Sequence, residues 1–86
     1  MNTDERVLQL IRNTCPRPVE LGALRPELML RHDLGIDSIA LVTVMFQFEQ
    51  EFGVDLVAME VDLSGIETVG DLLSKAREVL DRPRPV

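Results

Sequence analysis

The chain has 86 residues, enough for one modest core and too few for an enzyme with a deep cleft. Its formal net charge of −6 argues against nucleic acid as a ligand, because binding phosphates needs clustered Lys and Arg. Hydrophobic residues make up 45% but aromatics only 3%, with no Trp or Tyr, so the core has to be aliphatic.

Cys15 is the only cysteine and His32 the only histidine, which excludes an internal disulfide and a metal cluster of the usual ligand spacing. A reducing, cytoplasmic setting is expected. The opening residues hold no basic segment leading into an apolar run, and no stretch approaches the length that spans a bilayer, so neither export nor membrane anchoring is expected.

Asn2 or Thr3 can cap a first helix near residues 3–14, with Asp4 and Glu5 in its opening turn and Val7, Leu8, Leu10 and Ile11 as its apolar stripe. Pro16, Pro18, Gly22 and Pro26 then interrupt helical pattern to about residue 30. This long loop carries Leu21, Leu24, Leu28 and Leu30, anchors that can lay it over a core. A second helix is predicted from Asp37-Ser38 to Phe52, stopped by Gly53. On it, Leu41, Val44, Met45, Phe48 and Phe52 form the expected core stripe, and Ile39, Val42 and Phe46 form a second apolar strip that begins beside Ser38. Residues 59–64 are expected to make one or two helical turns. Thr68 and Asp71 have capping-box spacing ahead of Val69, Leu72, Leu73, Ala76, Val79 and Leu80, which predicts a last helix over 69–81. The expected fold is therefore all-α: a small bundle of three main helices plus one short helix, with residues 1–81 as the domain and 82–86 as a flexible tail.

Between Arg31 and Lys75 there is no Lys or Arg, while nine carboxylates run from Asp33 to Asp71. Such a bias is commonly a solvated surface; it also suits a docking field for proteins with basic patches.

The segment Asp33-Leu34-Gly35-Ile36-Asp37-Ser38-Ile39, the apolar helix ending Glu49-Gln50-Glu51-Phe52-Gly53, and Thr68-Val69 opening a last helix together resemble the acyl carrier protein family. The resemblance implies that a phosphopantetheinyl transferase moves 4′-phosphopantetheine from coenzyme A onto Ser38. It also implies that the arm's thiol holds an acyl group as a thioester between visits to acyl-loading and acyl-processing enzymes. The chain itself is then not an enzyme, since chemistry belongs to the carried group and the partners.

The residues fit this role on physical grounds. Ser38 at a helix N-terminus would meet free N–H groups and the positive end of the helix dipole, both favourable to a phosphodiester. Gly35 permits a backbone conformation or close approach that a side chain would obstruct. Asp37 either orients the hydroxyl or the transferase, or caps the helix. Ser38 alone would read as an N-cap. A hydrolase triad of Ser38, His32 and Asp33 or Asp37 lacks the Gly-x-Ser-x-Gly elbow, and Cys15 lacks the electropositive setting of a reactive thiol.

Ile39, Val42 and Phe46 are either a wider core face, covered by the segment around Met59 and Val61, or a surface that receives partners or shelters the acyl chain. Glu49, Met59 and Glu60 are expected to contribute to docking. Carriers of general fatty-acid synthesis usually bear acids early in this helix, where Ala40 and Thr43 stand here, with Gln47 and Gln50 further on; this favours a dedicated carrier in polyketide or other secondary metabolism, with fatty-acid-type biosynthesis kept beside it. A stand-alone aminoacyl carrier is the nearest alternative, although Gly35-Ile36-Asp37-Ser38 has the acyl-carrier form. An unmodified acidic interaction subunit is the alternative of another class. A monomer is expected, since the carrier visits several partners.

Overall fold

The structure is a computed structural model and describes residues 2–81; the expectation for the tail, 82–86, lies outside the described residues. Three helices carry the fold: α1 (Thr3–Thr14), α2 (Ser38–Phe52) and α3 (Val69–Asp81). Their limits follow from local chemistry. Asn2 caps α1 by accepting the Glu5 N–H at 2.8 Å. Gly53 ends α2 with a φ of 65°, a left-handed turn that costs glycine nothing. At the start of α3 the capping box closes in both directions: Asp71 donates its N–H to Thr68 Oγ1 and its carboxylate accepts the Thr68 N–H, each at 3.0 Å.

Each helix buries one stripe in a shared aliphatic core: Val7, Leu10 and Ile11 from α1, Val44 and Phe48 from α2, and Val69, Leu72, Leu73, Ala76 and Val79 from α3. Two ion pairs tie the helix surfaces together. Arg6 of α1 reaches Glu51 of α2 at 2.9 Å and lies over the Phe52 ring, 4.4 Å from its centroid. Arg77 of α3 pairs with Asp4 of α1 and holds that carboxyl below its ordinary value.

The loop between α1 and α2 is part of the core. Leu24, Leu30, Leu34 and Ile36 are buried, and a short 3-10 turn, Leu21–Ala23, lies within it. The loop is also stitched to the start of α3. Leu30 donates its N–H to the Glu67 carbonyl at 2.9 Å, Val69 to Leu28 at 3.0 Å and Gly70 to Pro26 at 2.9 Å, with an antiparallel bridge between Met29 and Thr68. Periodicity could not reveal this pairing, because it joins single residues of the loop to the start of α3 instead of two strands.

One expectation is corrected: residues 59–64 form no helix. The chain makes a hydrogen-bonded turn over residues 56–60, with the Met59 N–H on the Asp55 carbonyl and the Val61 N–H on that of Leu56. Asp55 starts the turn by accepting the N–H groups of Val57 and Ala58, and Glu60, at a φ of 54°, breaks it before a second turn can form.

Candidate functional site

The corner between the loop and α2 is built from Gly35 to Ser38. Gly35 has a φ of 71°, and a Cβ there would stand 3.0 Å from Pro16 Cγ. Backbone handedness and the close packing of Pro16 therefore both require glycine. Ile36, next in sequence, is buried and donates its N–H to the Leu30 carbonyl at 2.8 Å, which anchors the corner to the loop. The chain then turns outward, leaving Asp37 and Ser38 exposed.

Asp37, and not Ser38, caps α2. Its Oδ1 accepts the Ala40 N–H at 2.9 Å and its carbonyl accepts that of Leu41 at 2.8 Å. The N–H groups of Ser38 and Ile39 lie ahead of these bonds, at the positive end of the helix. The capping job thus leaves the Ser38 hydroxyl free of it, on the first residue of the helix.

Ser38 stands between two depressions of different character. One, about 460 Å³, is mixed: Arg31, His32, Asp37 and Glu67 share it with Ile36, Leu41 and Ile66. The other, about 330 Å³, is mostly apolar and runs along α2 past Val42 and Phe46 to Leu56, Val57 and Leu63. His32 is exposed beside the first. The neighbouring aspartates serve the backbone, Asp33 accepting the Met29 N–H at 2.7 Å and Asp37 capping α2.

The apolar strip is not a wider core face. Ile39, Val42 and Phe46 are 79%, 68% and 60% exposed, and Val57 across the groove is 85% exposed. The segment around Met59 and Val61 does not cover them; both residues are half-buried and pack on the core. Glu49 is half-buried too, with its Oε2 accepting the Leu56 N–H at 2.9 Å, so it braces the floor of the groove. Glu60 is exposed. Val57 and Leu63 complete the apolar ground, and no sequence signal marks them, because both lie in a loop without helical or strand period. Cys15 is half-buried, and burial pushes its thiol pKa up, away from reactivity.

Residues 5–75 match the family model described as a phosphopantetheine attachment site. The chain is 30% identical over 77 residues to an acyl carrier protein of Rickettsia bellii, an alignment covering 90% of each. This chain belongs to the acyl carrier protein family. An acyl carrier protein of Thermotoga maritima is 43% identical over 56 residues, 65% of this chain and 67% of its own. A meromycolate extension acyl carrier protein of Mycobacterium tuberculosis is 36% identical over 56 residues, 65% of this chain and 47% of its own.

Membership makes the chain a carrier and not an enzyme, with 4′-phosphopantetheine as its covalent group and a phosphopantetheinyl transferase and acyl-processing enzymes as its partners. Among the described residues, no helix is long and apolar enough to cross a membrane.

Proposed function

We propose that Ser38 is the residue that bears the arm, and that the chain shuttles acyl groups between enzymes as a monomeric cytoplasmic carrier. The observation that carries this reading is the division of work at the corner: Asp37 caps α2, so the Ser38 hydroxyl stands exposed on the first helical residue. The residues fit the group. The N–H groups of Ser38 and Ile39 and the helix dipole favour a phosphodiester there, and the depressions on either side leave a transferase room to approach. When attached, the arm supplies a terminal thiol on which an acyl group rides as a thioester.

Gly35 sets the direction of the corner, and Ile39, Val42 and Phe46 form the ground on which partners land. Exposed Glu60 and half-buried Glu49 and Met59 contribute to the same docking surface. The formal charge of −6 favours encounter with partners that present basic surfaces. For the pathway, the absence of acids in the first turn of α2 supports a dedicated carrier, of the kind used in polyketide or other secondary metabolism, over a general fatty-acid carrier.

The test is mass spectrometry after incubation with coenzyme A and a broad-specificity phosphopantetheinyl transferase. The wild-type chain should gain one arm and Ser38→Ala none. An equal gain in Ser38→Ala would sink the assignment.

A further inference from the structure

Ser38 belongs to both of the depressions that flank it, and an arm on its hydroxyl has to leave by one of them. Size does not choose between them, since about 460 Å³ and about 330 Å³ both fall within the roughly 300–1,000 Å³ that holds a small molecule. Chemistry does. The arm begins with an anionic phosphodiester on the serine oxygen, followed by two geminal methyl groups, a hydroxyl and amides. In the groove along α2, the one charged lining residue is Glu49, and beyond Ser38 the others are all apolar. A phosphodiester there meets like charge, and the amides meet no partner from the protein.

The mixed depression offers the opposite. The stitch between the loop and α3, with the Leu30 N–H on the Glu67 carbonyl at 2.9 Å, brings Arg31 and His32 together with Ile66 and Glu67 beside Ser38. Arg31 and His32 are both exposed, and neither side chain has an ion pair or hydrogen bond among the described residues. The next base along the chain, Lys75, is already paired with Glu78 at 3.1 Å. A guanidinium presents its N–H donors in a fork that matches two phosphate oxygens, and an imidazole adds a ring N–H. Two carboxylates share the depression: Asp37, which accepts the Ala40 N–H, and exposed Glu67. They make the cation necessary, because without Arg31 the phosphodiester would face like charge on this side too. Ile66 and Met29, both half-buried, supply apolar ground for the methyl groups.

We infer that the arm leaves Ser38 across the mixed depression, with its phosphodiester held by Arg31 and His32 and its geminal methyl groups against Ile66 and Met29. This rests on Ser38 as the attachment residue. Arg31 is then a positioning residue that fixes the side from which the arm extends.

The test is solution NMR on the loaded chain, after mass spectrometry has shown one arm on the wild type and none on Ser38→Ala. Nuclear Overhauser contacts should run from the geminal methyl groups to Ile66 and Met29, and loading should shift the backbone resonances of Arg31, His32 and Glu67. In Arg31→Gln, loaded to the same mass, those contacts should be lost and the phosphorus resonance of the arm should move. The melting curve should stay as it was, because the side chain is exposed and unpaired. Contacts to Val42, Phe46 or Val57, no contacts at all, or Arg31→Gln spectra that match the wild type overturn the inference and leave Ser38 as the attachment residue. A wild-type chain that gains no mass, or a Ser38→Ala chain that gains as much, defeats the attachment reading itself and the inference with it.

Discussion

The two apolar faces of α2 differ little in residue type. On one, Val44 and Phe48 are sealed in the core with Ile11 and Leu72, and on the other, Ile39, Val42 and Phe46 stand in solvent. Hydrophobicity alone therefore does not say which face is core. What separates them is their neighbours. The loop bearing Leu30, Leu34 and Ile36 is stitched to α3 and shares the core with Val44, whereas the segment after Gly53 turns tightly at Asp55 and stops short of Phe46. On the function proposed above, the apolar surface left open beside Ser38 serves contacts with other proteins.

Substitutions can break or sharpen this contrast. Phe48→Ala should cost about 3–5 kcal/mol by leaving a cavity, seen as a large fall in melting temperature, with arm loading lost only as the fold is lost. Gly35→Ala should follow at about 1–2 kcal/mol from the left-handed backbone alone, with the Pro16 contact adding to it; denaturant titration would read this. Asp37→Ala removes the α2 cap and should cost about 1 kcal/mol in the same titration. Phe46→Ser should change stability by less than about 0.5 kcal/mol while weakening loading, the reverse of Phe48→Ala. Equal stability losses at Phe46 and Phe48 would erase the distinction between the faces.

The smallest effect concerns acid. The N–H groups of Glu67 and Thr68 hold the Asp71 carboxyl below its ordinary value, as Arg77 does for Asp4. A carboxyl with a depressed folded value stabilises the fold above its unfolded pKa and loses that contribution as pH falls through the folded one. Stability should therefore decline from about pH 4 downward, and Asp71→Asn should flatten part of the slope in melting curves recorded against pH.

Much of the site was legible from sequence. Ser38 and Gly35 stand out in the motif, the caps at Asn2, Asp37 and Thr68 are local, and the helix limits follow from Gly53 and the apolar period. The helical turns expected over residues 59–64 are absent because the turn over 56–60 depends on Asp55 and on a positive φ at Glu60, which no periodicity reports. The role of the acids was equally hidden. Their number reads directly from the chain, but whether each carboxylate faces a partner or a backbone N–H depends on where the loops lie.

By itself, then, the sequence determined the three helices, the outward corner at Ser38 and the family, because caps, glycine handedness and helical period act over a few residues. Only the tertiary structure decided which apolar face of α2 is covered and which acids are engaged. Those outcomes depend on contacts between segments distant in sequence, such as Leu30 with Glu67 and Arg6 with Glu51.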